Sequence, residues 1–498
     1  MSNPKTSPRR LDAFTLVCLG LLALYAAFLG RYSTAVAGGS DSAGYLMSAK
    51  MLTEGRLMMP QRTIPELPAD DAWVYTPLGM IARGPDNLLR PTYPIGLPLH
   101  FAAASTVFGW SWAPIVVVIS SALAAVLLTF ACARALGASR LLAACGAAAL
   151  AVSPILIFTS IQPLSDTLSA AWNTAAFLCA LRANRSRDWR WGVATGVATA
   201  VAVLVRPTDA LIVPALCLVL WNWRLLLAAA AGGLPGALFL GWYQATLYGS
   251  PWLTGYGSIG GLISLQWVGR TLAHYGAWLP VVLPVGLVAL LLLPWWPWRA
   301  AGRPMAALLL WALAFFAFFA TYYCTHETWW YLRFVLPAFP ALAIAAAVSG
   351  ERVLARLSGA RAAWLRPALA VLPIVVTVGL GHHTFKRFGT YTTAQGQQPY
   401  EDLARWANEH LPRDAAIATL HASCAFYFYT DFPVVMSNNM GPERFPVLRE
   451  RLRASGRPFY ALLFKWDDEP RMQELLPGDW VEVQRSGDFA LWRLEHSR

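Results

Sequence analysis

The stretch "LDAFTLVCLGLLALYAAFLG" (residues 11–30) contains a single charged residue, Asp12, in twenty positions. A helix needs about 20 mostly apolar residues to cross the hydrocarbon core of a bilayer. We therefore predict a retained first membrane helix at Leu11–Leu29, because the "AVAGG" that follows it is only a weak match to a signal-peptide cleavage site.

Similar apolar runs recur as far as about residue 382, so the chain is predicted to be a polytopic α-helical membrane protein. Of its 498 residues, 57% are hydrophobic and 13% are charged, whereas soluble domains carry about 25% charged residues. Eleven spans are predicted, near residues 11–29, 113–133, 141–157, 166–182, 191–205, 209–221, 225–243, 278–295, 305–323, 335–350 and 367–382.

The formal net charge of +12 is distributed as in a membrane protein and does not indicate binding to nucleic acid. Arginine and lysine are retained in short cytoplasmic loops. Here they occupy the N-terminus and alternate connectors, for example Arg134 and Arg140, whereas the connector "FTSIQPLSD" has none. This pattern predicts a cytoplasmic N-terminus and, with an odd number of spans, an extracytoplasmic C-terminus.

Two larger segments are then predicted on the outer side. A transmembrane module (1–382) contains a first outer loop at 31–95, and a small C-terminal α/β domain covers 383–498. In that domain "YEDLARWANEHLP" (400–412) predicts an amphipathic helix, while "AAIATL" (415–420) and "FYALLF" (459–464) predict buried strands.

The seven cysteines are scattered singly, with no CxxC motif and no Cys/His cluster. Such spacing supports neither a zinc site nor a disulfide framework. We expect no required cofactor and assign no metal ligands; a divalent metal is left open, since no ligand motif supports one.

The ionisable residues near the spans gather at their predicted outer ends rather than at mid-depth. Transporters coupled to ions or protons usually carry such groups inside their helices. Their position here favours an enzyme at the outer membrane–water boundary that acts on a partly lipid substrate. The residues are Asp41, Arg90, Asp166, Arg206, Asp209, His326, Glu327 and Arg333.

Five of these residues also have a structural interpretation. Asp41 could cap a helix that stops at Gly55, and Asp166 could complement a helix dipole. Arg206 and Asp209 could pair across a tight turn, and Arg90 could be a lipid-facing arginine or a cation for a lipid-linked phosphate.

Taken in order, six segments resemble the bacterial GT-C glycosyltransferases, in particular the protein mannosyltransferase-like group and the lipid A aminoarabinose transferases. The resemblance covers most of the chain. The segments are "GGSDSAGYLMSAKMLTEGR" (38–56), "RPTYPIGLPL" (90–99), "SPILIFTSIQPLSDTL" (153–168), "VLVRPTDALIVPAL" (203–216), "YGSPWLTGY" (248–256) and "WWYLRFVLPAFPAL" (329–342).

The resemblance implies a multi-pass enzyme of the bacterial inner membrane that takes sugar from a polyprenyl phosphate. It implies that Asp41 is the catalytic carboxylate, that Asp166 is a second catalytic acid, and that Arg90 and Arg333 bind the donor phosphate. Further substrate contacts are predicted at Tyr45, Tyr93, Arg206, His326, Glu327 and Tyr331.

The acceptor is left open as a lipid, a glycan or a protein. Protein mannosyltransferases commonly have paired acids in this loop, whereas Asp41 is flanked by serines and the pair Asp70–Asp71 lies in a stretch typical of a surface turn. The predicted reaction is inverting transfer of a single sugar with Asp41 as general base. The alternatives are a lipid-linked glycan flippase or transporter, and a glycan polymerase or ligase.

Overall fold

The computed structural model describes residues 12–68, 72–83, 86–257 and 259–495, and it is mainly helical. The predicted acidic pair Asp70–Asp71 lies outside the described residues. Up to the C-terminal domain the helices are α1 Ala13–Tyr32, α2 Gly39–Thr53, α3 Gly96–Phe108, α4 Ala113–Ala135, α5 Arg140–Ala151, α6 Pro154–Ser160, α7 Asp166–Ser186, α8 Trp189–Val205, α9 Val213–Leu220, α10 Trp223–Tyr248, α11 Val268–Val282, α12 Pro284–Leu291, α13 Trp298–Ala320, α14 Phe339–Ala355 and α15 Ala362–Arg387. Two 3₁₀ segments, Pro207–Ile212 and Trp329–Ala338, precede α9 and α14.

The polytopic membrane fold is confirmed, but the count of eleven spans is not. Among the described residues, six helical segments are long and apolar enough to cross a membrane, and two bent helix pairs raise the number to eight. The pair α5–α6 bends by 60°, and the pair formed by Leu265–Val282 and α12 bends by 106°. The helices α8 and Pro207–Leu220 are apolar but shorter than a full span.

Close packing between α8 and α10 depends on glycines four residues apart on each helix. Gly192 and Gly196 lie on α8, and Gly232 and Gly236 lie on α10. A Cβ atom at Gly196 would lie 1.9 Å from the Ala229 carbonyl oxygen, and one at Gly232 would lie 2.2 Å from that of Val193. Small residues at this spacing let membrane helices approach backbone to backbone.

The segment 31–95, predicted as the first outer loop, folds into α2 and a small antiparallel sheet with strand order β1-β3-β2. Its strands are β1 Met59–Pro60, β2 Met80–Ala82 and β3 Leu88–Pro91. Helix α2 begins after Gly38 without any side-chain cap, and Asp41 lies in its first turn. The capping interpretation of Asp41 is therefore wrong, and its carboxylate is available for other contacts.

The C-terminal domain has a five-stranded mixed sheet with strand order β5-β4-β6-β8-β7. Strand β4 is parallel to both β5 and β6, whereas β8 is antiparallel to β6 and β7. The predicted helix and both predicted strands are present. The elements are α16 Thr393–His410, β4 Ala416–Ala418, α17 Ser423–Tyr429, β5 Val434–Val435, α18 Gly441–Ser455, β6 Phe459–Phe464, α19 Met472–Leu475, β7 Trp480–Ser486 and β8 Phe489–Leu494.

The C-terminal domain packs directly on the first outer loop, so that α17 lies against α2. Arg62 of the loop donates from Nη1 to the Thr430 carbonyl at 2.6 Å and from Nη2 to the Tyr427 carbonyl at 3.2 Å. Its guanidinium also lies 4.5 Å from the centre of the Tyr427 ring. Lys50 of α2 donates to the Phe428 carbonyl at 2.8 Å. The loop and the domain thus lie on one side of the molecule and support each other.

Candidate functional site

A cavity of about 430 Å³ opens between α2, the start of α7, the end of α8 and the Trp329–Ala338 segment. It gathers seven of the ten residues predicted as functional from the sequence. They are Asp41, Tyr45, Tyr93, Asp166, Arg206, Tyr331 and Arg333.

Both carboxylate oxygens of Asp41 are hydrogen-bonded. The Tyr93 hydroxyl donates to Oδ1 at 2.7 Å, and Arg333 Nη2 donates to Oδ2 at 2.5 Å. Burial acts to raise the pKa of Asp41, but the charge of Arg333 and these hydrogen bonds outweigh it and hold the pKa below its usual value. Asp41 is therefore ionised and paired in this state.

A second ion pair lies across the cavity. Arg206, which follows α8, donates to Asp166, the first residue of α7. Beside this pair, the Tyr45 hydroxyl donates to Ser165 Oγ at 2.9 Å.

The predicted side-chain pairing of Arg206 with Asp209 across a tight turn is wrong. The buried Asp209 accepts a hydrogen bond from Ser169 Oγ at 2.6 Å. It contacts Arg206 through the backbone, where the Asp209 amide donates to the Arg206 carbonyl at 2.8 Å.

Phe334 connects the two ion pairs. The guanidinium carbons of Arg333 and Arg206 lie 5.4 and 5.7 Å from the centre of its ring. Cations at such distances are attracted to the ring face. The two guanidinium groups are thereby held around one aromatic side chain, at the polar end of the cavity.

Tyrosines supply much of the remaining polar surface. The rings of Tyr45 and Tyr93 are 4.8 Å apart, and Tyr256 lies 6.1 Å from Tyr93. Sequence reasoning missed Tyr256, Tyr322 and Tyr323, all of which line the cavity. Tyr256 ends the segment "YGSPWLTGY" that carried part of the family resemblance, so that segment held a usable signal. The pair Tyr322–Tyr323 follows an apolar helix, where tyrosine is common at membrane interfaces.

Arg90 does not line this cavity. It lies on β3, where Nη2 is 2.5 Å from Asp86 Oδ2 and Nη1 donates to the Leu88 carbonyl at 2.9 Å. Its side chain is only 9% exposed. A contact with donor phosphate, which stays a prediction, requires the guanidinium to leave Asp86.

His326 and Glu327 also lie outside the cavity lining. The His326 ring stacks on Trp267 with 5.4 Å between ring centres, and Glu327 is exposed. Their predicted substrate contacts are thus not part of the geometry that surrounds Asp41.

The cavity lining also includes apolar side chains, among them Leu164, Leu262, Phe318 and Phe319. The cavity volume lies within the range of about 300–1,000 Å³ that is usual for small-molecule sites. Arginine suits phosphate because its planar fork donates two hydrogen bonds at once. A carboxylate, two guanidinium groups and apolar side chains in one cavity can accommodate a phosphate that bears a lipid chain. The expectation that no cofactor is required stays a prediction.

Comparison with known proteins agrees with this description. A family model described as dolichyl-phosphate-mannose-protein mannosyltransferase matches residues 112–251, a range that runs from the start of α4 past the end of α10. No curated protein matches the chain in sequence.

Several solved structures share the fold over nearly the whole chain. ArnT from Cupriavidus metallidurans bound to undecaprenyl phosphate is 14% identical, with a TM-score of 0.61 over 98% of this chain and 99% of that chain. The Archaeoglobus fulgidus oligosaccharyltransferase is 12% identical, with a TM-score of 0.57 over 95% of this chain and 74% of that chain. The mycobacterial arabinofuranosyltransferase AftD is 14% identical, with a TM-score of 0.53 over 97% of this chain and 40% of that chain.

These structures share the GT-C fold, so the resemblance predicted from the sequence is confirmed at the level of the fold. The chain has the GT-C membrane fold with a small C-terminal sheet region.

Proposed function

We propose that the protein is a membrane glycosyltransferase that moves one sugar from a polyprenyl-phosphate carrier to an acceptor hydroxyl, with inversion. The observation that carries the proposal is the pairing of Asp41 with Arg333 beside the Asp166–Arg206 pair in one cavity. A base and two phosphate-binding cations are the groups that this reaction requires.

In the proposed step the acceptor oxygen forms a bond to the anomeric carbon of the sugar as its proton passes to Asp41. The bond from that carbon to the phosphate oxygen breaks on the opposite face, and the polyprenyl phosphate leaves with the electron pair. Arg333 and Arg206 stabilise the departing phosphate. Preorganised cations at a site of developing negative charge are a large source of rate acceleration.

Binding of the donor also prepares the base. In the free protein Arg333 lowers the proton affinity of Asp41, which makes the carboxylate a weak base. A phosphate that attracts Arg333 reduces this effect while burial remains, so the basicity of Asp41 rises once donor is bound. The same event frees an oxygen of Asp41 for the acceptor hydroxyl.

The comparisons support the choice of donor. ArnT from Cupriavidus metallidurans was solved with undecaprenyl phosphate, and the matching family model is described by a dolichyl-phosphate sugar. The concentration of arginine in alternate connectors supports placement of the cavity on the outer face of a bacterial inner membrane. The acceptor is a lipid, a glycan or a protein exposed on that face.

The test compares membranes from cells that contain the protein, lack it, or contain the Asp41→Asn variant. Mass spectrometry of envelope lipids, glycans and proteins should detect an increment of one sugar that depends on the wild-type protein. An increment of several sugars would instead support a polymerase or ligase. Redistribution of a lipid-linked glycan without any new bond would support a flippase, and either result would overturn the proposal.

A further inference from the structure

A group of metal-ligand side chains lies in the C-terminal domain, remote in sequence from the residues of the cavity. His421 follows β4, and Asp467 and Asp468 follow β6. Strands β4 and β6 are parallel neighbours, so their carboxyl ends meet at one edge of the sheet. Ligand sites in α/β sheets occur preferentially at this edge.

The three side chains are already close enough to share one ion. His421 Nε2 lies 3.0 Å from Asp467 Oδ2 and 3.8 Å from Asp468 Oδ2, and the three ligand atoms all lie within 4.8 Å of one another. Ligands bound tetrahedrally at 2.0–2.1 Å from a zinc ion are about 3.3 Å apart. Small side-chain movements therefore suffice to form the site.

Asp468 is a buried acid, and few protein groups offset the negative charge of its carboxylate. It is 2% exposed, and its Oδ2 accepts one long hydrogen bond, 3.4 Å, from the Phe464 amide. Two adjacent carboxylates in a partly dry position are costly without a cation.

The nearby cationic side chains are engaged elsewhere. Arg471 Nη2 is 3.1 Å from Glu474, Arg485 pairs with Glu469 and Glu482, and Lys465 lies over the Trp466 ring. Within the described part of the chain, neither Asp467 nor Asp468 forms an ion pair with lysine or arginine. Among the described residues, His421 is the one basic side chain that contacts these two carboxylates.

We propose that His421, Asp467 and Asp468 bind a divalent transition-metal ion, with Zn²⁺ the best match. One imidazole nitrogen with two carboxylate oxygens is a ligand set that zinc accepts, and water completes four-coordination. The half-exposed Asp467 leaves one side of the site open to that water. The Phe464 amide also donates to Oδ2 of Asp468, and ligating carboxylates commonly accept such outer hydrogen bonds at metal sites.

The bound ion would stabilise the contact between the C-terminal domain and the first outer loop. Ser423 begins α17 two residues after His421, and its Oγ accepts a hydrogen bond from the Leu78 amide of the loop at 3.0 Å. Helix α17 then packs on α2. A metal bound by His421 fixes the start of this contact, so its role is structural.

The test uses the full chain purified in detergent, without a histidine tag, after removal of metal by a chelator. Titration with Zn²⁺ alone should give one bound equivalent and raise the unfolding temperature, because a ligand that binds only the folded state stabilises it. His421→Ala and Asp467→Asn should each weaken Zn²⁺ binding at least tenfold and remove the thermal shift. Both residues are partly exposed, so these variants are expected to fold.

His410→Ala provides the matched control, because His410 is an exposed histidine of the same domain whose ring stacks on Trp406. This variant should bind Zn²⁺ like the wild type. Absence of Zn²⁺ binding by the wild type would overturn the proposal. Equal binding by the wild type and His421→Ala would also overturn it, since the ion would then be adventitious.

Discussion

Arg333 Nη2 lies 2.5 Å from Asp41 Oδ2, although 292 positions separate the two residues in the chain. One belongs to the first turn of α2 and the other to the 3₁₀ segment ahead of α14. The charge state of the proposed base is therefore influenced by a distant part of the sequence.

Asp41→Asn should reduce sugar transfer by about 10²- to 10⁴-fold, the usual contribution of a general base. Asparagine keeps the size of the side chain and a hydrogen-bond acceptor for Tyr93, so the protein should still insert and fold. The measurement is transfer rate in membranes at equal protein level. Asp479→Asn makes the same change at an exposed acid of the C-terminal domain and should leave transfer unchanged. Wild-type turnover by the Asp41 variant would exclude it as the base.

Arg333→Gln should move the acid limb of kcat/KM to higher pH. In the wild type Arg333 holds the pKa of Asp41 below its usual value, so Asp41 stays ionised as the pH falls. Without that charge the effect of burial gains weight and the pKa rises, so activity is lost at a higher pH on acidification. The pH dependence of kcat/KM reports this group in the free enzyme. The exposed Arg270 offers the control Arg270→Gln, and an unshifted acid limb in Arg333→Gln would refute the coupling.

Arg206→Gln should raise KM for the lipid donor by about 10- to 100-fold, corresponding to loss of a charged hydrogen bond of about 1.5–3 kcal/mol. Binding of undecaprenyl phosphate alone, measured by native mass spectrometry, should weaken in parallel. Unchanged donor binding would show that Arg206 only holds Asp166.

Replacing either Arg90 or its partner Asp86 distinguishes a structural role of Arg90 from a role in binding the donor phosphate. If the pair with Asp86 only stabilises the loop, Arg90→Ala and Asp86→Asn should lower the unfolding temperature alike and leave KM for the donor unchanged. If Arg90 moves to the phosphate, Arg90→Ala should raise KM, whereas Asp86→Asn, which frees the guanidinium, should not.

Arg62→Ala should lower the free energy of unfolding by about 2–4 kcal/mol, because hydrogen bonds from a charged donor contribute about 1.5–3 kcal/mol and a cation–π contact adds to them. The variant leaves the Tyr427 and Thr430 carbonyls without this donor. Thermal unfolding of the purified chain provides the measurement. Arg56→Ala is the control, since Arg56 is about half exposed and forms a surface pair with Glu54. Equal effects of the two changes would contradict a special role for Arg62.

Gly196→Ala should destabilise the protein by about 1–3 kcal/mol, as expected when a methyl group is forced into a filled contact. Its Cβ would lie 1.9 Å from the Ala229 carbonyl oxygen, so α8 and α10 must separate. Gly276→Ala is the matched control, since a Cβ on that glycine of α11 meets no atom within 4 Å. Yield of monodisperse protein and its unfolding temperature would both report the difference.

The membrane fold was predictable because long apolar runs have few alternatives to helix in a bilayer. The number of membrane crossings was harder to predict from the sequence. The apolar run near 278–295 was predicted as one span, but the structure bends the chain by 106° before Pro284. Hydropathy records how apolar a segment is and not the direction of its axis, so a bent segment is read as a straight span.

Individual residues of the cavity could be predicted from the sequence, but the contacts between them could not. Asp41, Asp166, Arg206 and Arg333 were all identified from residue type and position at the predicted ends of helices. Their pairing was not, because the partner of Arg206 is Asp166, 40 positions away, rather than the nearby Asp209. Which acid an arginine reaches depends on helix packing, here the packing of α8 on α7, whose first residue is Asp166.

The great separation of Asp41 from Arg333 also has a consequence during synthesis. When α2 emerges from the ribosome, the guanidinium that will neutralise its acid is still 292 codons away. Helix α17, which supports α2, begins a further 90 residues along. The proposed site is therefore incomplete until most of the chain has been synthesised.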